Sequence, residues 1–285
     1  MPDQPSYPKK VYLNGNILDA GKALVSVFDR GFIFGDGIYE VMAQINGRFF
    51  YKEAHINRLK WCLEQIQINL DVDALEQEIP ALLEASDLSG EDCLLYIQVS
   101  RGTAPRQHSF PKNIEPTVMM YAWAKTLPDI NLAHATVVTM ADFRWSRCDI
   151  KMTSLLGNVM ANEHAQKNQC YETLFERNGL ITEASHCNVF FVRDGTIYTH
   201  PLGPYILDGI TRQVVLELCE KLQIELIQEG IPAKEISSMD EAFLTGTSTQ
   251  VLAIQKIDDH HYFDTIPGPV TQRLQEAFLG LKSSF

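Results

Sequence analysis

The spacing of apolar residues changes period several times along the chain. Over residues 38–45 apolar and polar positions alternate, and a second short run follows at 48–51 beyond Asn46-Gly47. Alternation places successive side chains on opposite faces of a strand, so the pattern predicts a hairpin. Residues 11–13 and 16–18, flanking Asn14-Gly15, read the same way. From Glu53 the period lengthens: Ile56, Leu59, Leu63 and Ile66 fall on one helical face. A second amphipathic helix is expected over 73–85, with Asp73 as N-cap, Leu75, Ile79, Leu82 and Leu83 apolar, and Pro80 interrupting its middle. Residues 94–100 and 117–124 read as strands separated by a long loop, 101–116. The stretch 26–37, rich in glycine and aromatics, reads as a loop.

Lys125-Thr126-Leu127-Pro128-Asp129 breaks these patterns. A linker over 125–134 therefore separates a small N-terminal domain, 1–124, from a larger C-terminal one, 135–285. The second part is expected to contain strands at 135–140, 173–176, 189–193, 196–199, 224–228 and 242–245. Its helices are expected at 154–168, from Gly209-Ile210-Thr211-Arg212 onward, near 234–237 and at the C-terminus. Most strand pairs look antiparallel with helices interspersed, which gives an α+β, two-domain fold class.

Composition narrows the functional classes. The 285 residues are 45% hydrophobic and 21% charged, enough for one large or two modest cores. A net charge of -12 argues against nucleic acid or an anionic membrane as the main partner. It leaves a small anionic ligand open, because a few local arginines outweigh the global field. The first residues, MPDQPSYPKKVYLNG, lack an apolar signal core, and no run is long enough to span a bilayer. The six cysteines are scattered, with no C-x-x-C pair and no metal spacing, so buried thiols, a cytoplasmic setting and no metal site are expected.

Several short stretches can carry chemistry. Lys151 lies between Ile150 and Met152; burial lowers the pKa of such an amine and frees it for Schiff-base chemistry with a carbonyl. The alternative is a lysine at a strand end with its ammonium in water. Arg106 and His108, two apart in the long loop beside Arg101, are either solvated or a trap for a carboxylate. Tyr39 and Glu40 follow Gly35 and Gly37, glycines that permit close backbone approach to a ligand. Gly209-Ile210-Thr211 opens a helix, hence either an ordinary start or an anion site. Thr245-Gly246-Thr247-Ser248-Thr249 is either a polar turn or a phosphate cup. Glu183, in Thr182-Glu183-Ala184-Ser185-His186-Cys187-Asn188, either caps a turn or sits buried against a cation. No H-E-x-x-H, G-x-S-x-G or G-x-G-x-x-G occurs, which weakens zinc hydrolase, serine hydrolase and Rossmann dehydrogenase readings.

In order and spacing these pieces resemble the class IV aminotransferases, the fold type IV pyridoxal 5'-phosphate enzymes, and within them the D-amino-acid aminotransferase branch. The similarity runs from Tyr12-Leu13-Asn14-Gly15 to the strand at Ala242. The resemblance implies a cofactor held by Lys151 as a Schiff base, with the same amine moving the substrate proton. It implies Glu183, in a T-E-x-S-x-x-N pattern, facing the pyridine nitrogen. Arg58, in His55-Ile56-Asn57-Arg58-Leu59, would bind the phosphate with Ile210, Thr211, Gly246 and Thr247. Tyr39, Arg106 and His108 match the substrate-carboxylate trap, in which the arginine and histidine reach in from a neighbouring subunit, so a homodimer is implied. Amino acids and 2-oxo acids would be the substrates, D-alanine and 2-oxoglutarate the favoured pair. The chain departs from the branch at His186 and Cys187, where serines are common and where packing is expected, and at Gly246. Other chemistries of the fold are branched-chain L-amino-acid transamination, aminodeoxychorismate lysis and (R)-amine transamination, which the Arg106-Gln107-His108 pair disfavours. A cofactor-binding protein without turnover is disfavoured by the intact Lys151 and Glu183.

Overall fold

A computed structural model describes residues 7–131, 133–262 and 267–285. Two compact units emerge: Met1–Thr126 with Ile150–Ser154 and Phe285, and Leu127–Asp149 with Leu155–Ser284. Residues 1–6 of the expected N-terminal domain and Leu132 of the expected linker lie outside the described residues. Lys151 is carried by the first unit.

The first unit is built on a six-stranded antiparallel sheet. Its elements are β1 (Lys10–Leu13), β2 (Asn16–Asp19), α1 (Arg30–Phe34), β3 (Gly37–Ile45), β4 (Arg48–Phe49), α2 (Lys52–Gln65), α3 (Val72–Gln77), α4 (Ile79–Ala85), β5 (Cys93–Ser100) and β6 (Thr117–Ala124). The strand order is β2-β1-β6-β5-β3-β4. Both hairpin turns take positive φ at both central residues, 47° and 86° at Asn14-Gly15 and 50° and 78° at Asn46-Gly47, the twist-matched geometry that Asn-Gly favours. Along α2, Ile56, Leu59, Cys62 and Leu63 are buried in one cluster with Ile38 and Met42 of β3. Each such side chain contributes roughly 1.5–3 kcal/mol.

Two expectations change here. The helix foreseen over 73–85 is two helices, because Pro80 lacks the N–H a continuous helix needs and sits instead in the first turn of α4. The cap of α3 is Asp71, whose carboxylate accepts from the Ala74 N–H at 2.9 Å, not Asp73. The stretch 26–37 also holds one helical turn, α1. Asp29 caps it, and Gly35 ends it at φ 65°.

The second unit contains β7 (His134–Ala141), α5 (Leu156–Lys167), β8 (Glu172–Arg177), β9 (Leu180–Ala184), β10 (Asn188–Arg193), β11 (Thr196–Thr199), α6 (Ile210–Leu222), β12 (Leu226–Gln228), β13 (Glu241–Gly246), β14 (Gln250–Ile257), β15 (His260–His261) and α7 (Pro269–Ser284). The sheet order is β12-β11-β10-β13-β14-β7-β8-β9, with β15 on β14. Antiparallel pairs predominate as expected, but β7 runs parallel to β14 and β8, and β11 parallel to β12. Sequence patterning missed β9 and β14. Phe190 and Phe243 face each other across β10 and β13 and stack at 4.9 Å, both fully buried. Val214, Val215, Leu218 and Cys219 are the buried face of α6.

Candidate functional site

In the first unit, the segment 150–154 lies along the start of β3. The Tyr39 N–H donates to the Lys151 carbonyl at 2.9 Å and the Thr153 N–H to that of Gly37 at 3.0 Å, while Met152 bridges Ile38. The Thr153 and Ser154 hydroxyls both donate to the Gly35 carbonyl at 2.9 Å. A side chain at Gly37 would sit 2.6 Å from the Val99 carbonyl oxygen, and one at Gly35 2.4 Å from Ser154 Oγ. Gly35 admits the protein's own lysine segment and Gly37 the backbone of β5, where the sequence suggested approach by a ligand.

Extended geometry then sorts the side chains. Ile150 and Met152 are buried in the core cluster. Lys151, between them, points the other way, half-buried, with Nζ 4.2 Å from the centre of the Tyr39 ring. Among the described residues no carboxylate lies within ion-pair distance of Nζ. Tyr39 begins an aromatic ladder: Tyr39–Tyr96 at 5.6 Å, Tyr96–Tyr121 at 5.0 Å and Tyr121–Trp123 at 5.6 Å. Burial raises the pKa of Tyr96, whose hydroxyl donates to Gln98 Oε1 at 2.7 Å.

Glu40, next in β3, is fully buried and gathers Arg58 and His55 from α2. Arg58 donates through Nε to Oε2 at 2.9 Å and through Nη2 to Oε1 at 2.7 Å, and His55 Nδ1 lies 2.9 Å from Oε1. Burial works to raise the Glu40 pKa, but Arg58 and His55 hold the carboxyl well below the usual range. Burial lowers that of His55. Glu40 was singled out beside Tyr39, but its grip on Arg58 was not foreseen and His55 was not named as a site residue, although the i,i+3 spacing of His55 and Arg58 was legible.

The long loop is pinned by buried charges. Arg101 donates to Asp36 through Nε and Nη2, both at 2.9 Å, and to the Ile66 carbonyl at 2.7 Å. Arg30 donates to the same carboxylate at 2.7 Å and to the Gln107 carbonyl at 2.6 Å. Burial would raise the Asp36 pKa, yet the two guanidiniums keep it lowered. The loop so fixed holds Arg106 and His108 exposed and together: the Arg106 guanidinium is 5.2 Å and the His108 ring 5.8 Å from the Phe34 ring.

In the second unit, Glu183 closes β9, 5% exposed. Arg144 donates to Oε1 at 2.7 Å; the Leu207 N–H donates to Oε2 at 2.9 Å and Asn188 Nδ2 at 3.4 Å. Burial pushes the Glu183 carboxyl up to about 7, against the pull of Arg144 and the Leu207 N–H. Arg144 is itself gripped by Asp142 and lies 4.0 Å over the Phe175 ring. No pattern in the sequence pointed to Arg144.

Asn188 ties three features to one end of this sheet. Its amide reaches Glu183 and donates to the Leu207 carbonyl at 2.9 Å. A side chain at Gly209, the N-cap of α6, would meet Asn188 Oδ1 at 2.1 Å. Asn188 is also paired in register with Thr245, one residue before Gly246. Hence Glu183, the start of α6 at Ile210 and Thr211, and the Gly246-Thr247 turn lie close to one another. No side chain caps α6, so its first N–H groups keep their partial positive charge for an anion.

Comparison with known proteins follows this geometry. The amino-transferase class IV family model matches residues 37–257. A D-alanine aminotransferase of Staphylococcus haemolyticus is 38% identical over 273 residues, covering 94% of this chain and 96% of that one. The branched-chain amino acid aminotransferase of Escherichia coli superposes with a TM-score of 0.89 at 21% identity, covering 96% of this chain and 95% of that one. A branched-chain amino acid aminotransferase from Thermobaculum terrenum gives 0.85 at 24% identity, covering 98% and 94%. At such identities these two structures speak to the fold alone.

Proposed function

The chain belongs to the class IV aminotransferases, and from that membership we propose that it exchanges amino groups between D-amino acids and 2-oxo acids, D-alanine and 2-oxoglutarate giving pyruvate and D-glutamate. Enzymes of this class use pyridoxal 5'-phosphate. That group presents an aldehyde, a ring nitrogen and a phosphate, and the donor chemistry fits all three. The first unit offers an amine with no carboxylate partner among the described residues. The second offers a buried carboxyl at about 7 beside an uncapped helix start.

When bound, the cofactor supplies the electron sink for the substrate α carbon. Lys151 would hold it covalently through its amine and would move the substrate α proton as general base and acid. Glu183 would face the ring nitrogen and keep it protonated; Arg144 and the Leu207 N–H fix that carboxyl's direction. Ile210 and Thr211 would give backbone N–H groups to the phosphate, Gly246 and Thr247 the turn and its hydroxyl, and Arg58, steadied by Glu40, its charge. Tyr39, Arg106 and His108 receive the substrate carboxylate, the guanidinium bidentately. Arg106 and His108 serve the neighbouring subunit of a homodimer. Leu24, Val27, Phe28 and Phe32, 81%, 65%, 60% and 77% exposed on the same unit, give that assembly an apolar surface. The compartment is the cytoplasm, where the six unpaired cysteines stay reduced.

The observation that carries this reading is the half-buried Lys151 amine, turned away from the core onto the Tyr39 ring in a chain of this family. Branched-chain L-amino acids are the second reading, as another transamination within the class IV family. A panel of D- and L-alanine, D- and L-leucine and an aromatic (R)-amine, each with 2-oxoglutarate, separates them. D-Alanine is expected to be turned over fastest; preference for L-leucine refutes the assignment. Lys151→Ala is expected to bind the cofactor without turnover, and a colourless wild-type protein indifferent to added cofactor would sink the whole reading.

A further inference from the structure

The second unit also gathers an oxygen, a nitrogen and a sulfur donor to which the mechanism above assigns no role. Glu172 on β8 is fully buried, yet among the described ion pairs it meets neither lysine nor arginine, only His186. Its Oε2 lies 2.5 Å from His186 Nδ1, while Oε1 accepts from the Ser185 hydroxyl at 2.5 Å and the Thr173 N–H at 2.8 Å. Cys187 is 5% exposed, with Sγ 3.2 Å from Thr249 Oγ1, which in turn is 2.9 Å from the Tyr171 hydroxyl. The ligand atoms of Glu172, His186 and Cys187 all lie within 4.8 Å of one another.

We propose that Glu172, His186 and Cys187 form a divalent-metal site selective for zinc over magnesium. Carboxylate oxygen, imidazole nitrogen and thiolate sulfur suit a borderline-soft cation with three protein ligands and one open position. Charge balances: a carboxylate and a thiolate neutralise the dication, with the imidazole neutral. On binding, the Cys187 S–H proton leaves to solvent and His186 coordinates as the neutral imidazole as the three metal bonds form. His186, its side chain 44% exposed, is the point of entry, and the two buried ligands lie behind it. Ser185 and Thr173 orient the carboxylate and Thr249 the sulfur, the outer hydrogen bonds such sites need. Sequence spacing concealed the site because Glu172 opens β8 while His186 and Cys187 lie in the bend between β9 and β10, and those two read as packing.

The test uses the cofactor-loaded protein, stripped of metal by chelator and titrated with zinc alone or magnesium alone in a calorimeter. One zinc per chain is expected, magnesium is expected to bind far more weakly, and X-ray absorption should show one sulfur at about 2.3 Å with nitrogen and oxygen neighbours. Cys187→Ser and His186→Gln should each weaken zinc by more than the ~10–100-fold that outer-shell changes cost, and Cys148→Ser should leave it unchanged. His186 is exposed, so its variant remains decisive should the cysteine variant fail to fold. Zinc binding that survives both substitutions, no zinc binding at all, or a coordination shell without sulfur would overturn the proposal. None of these readouts involves turnover, so failure here is distinct from failure of the aminotransferase assignment.

Discussion

Gly37 abuts the backbone of the neighbouring strand, and Gly37→Ala probes how the lysine segment is held. The added methyl would sit 2.6 Å from the Val99 carbonyl oxygen and 3.0 Å from Ser100 Cα, both backbone atoms of the paired strand β5. Backbone cannot swing aside as a side-chain tip does, so β3 must move by roughly half an ångström. Overpacking of this kind costs about 1–3 kcal/mol, against which alanine recovers roughly 0.5–1 kcal/mol of chain entropy. The net loss is about 1–2 kcal/mol, a Tm lower by about 2–6 °C at this size. Because Gly37 accepts from the Thr153 N–H and Tyr39 donates to Lys151, the shift travels to the amine. A displacement of about 1 Å costs on the order of a hundredfold in rate, so kcat is expected to fall about tenfold while cofactor is retained. Calorimetric melting and steady-state kinetics of the purified variant provide the readout. Gly280→Ala is the control: nothing lies within 4 Å of the added methyl in α7, and it should gain up to about 1 kcal/mol. Wild-type Tm and kcat in Gly37→Ala would refute the idea that glycine here positions Lys151.

Three further outcomes are expected. Arg106→Ala should raise KM for amino and oxo acids by about a hundredfold, the worth of a charge-assisted bidentate contact, and leave cofactor affinity nearly intact; equal loss of both would make the loop merely structural. Glu40→Ala should cost about 3–5 kcal/mol in urea unfolding, because Arg58 is left buried beside His55 without its carboxylate; a loss under ~1 kcal/mol would contradict that. Glu183 has its folded pKa raised from 4.5 to about 7. The folded apoprotein therefore holds a proton the unfolded chain releases. Its contribution is complete below about 4.5 and is lost as pH rises through about 7, up to ~3 kcal/mol. Melting of wild type against Glu183→Gln from pH 5 to 8 should show the gap closing or reversing toward alkaline pH in this sense, and parallel curves would rule it out.

Local chemistry was legible where the residues responsible are neighbours in sequence. Asn14-Gly15 and Asn46-Gly47 turn as Asn-Gly turns do, because both central residues tolerate positive φ. The apolar stripe of α2 buries the residues its period named, since helical spacing alone fixes that face. Pro80 marks an interruption in the sequence, but whether the helix kinks or divides is decided by packing, and it divides. β14, with its run Gln250–Ile257, and β9 escaped notice because short apolar runs gain strand character only from their partners: β13 and β7 for one, β8 for the other.

The chemical groups were in the sequence: Lys151, Glu183, Arg58, Arg106 and His108 were nameable from residue type and from resemblance to a family. What surrounds them was decided by packing. Ile150 and Met152 are core anchors, and it is their burial that turns Lys151 outward onto Tyr39. Arg58 is held by Glu40, 18 residues away, and Glu183 by Arg144, 39 residues away. Glu172 on β8 meets His186 from the bend between β9 and β10. An ionisable group's identity is local, whereas its counter-charge, burial and direction belong to whatever the fold brings beside it. A buried carboxylate is tolerable only when such a partner arrives, and that arrival is a property of tertiary structure.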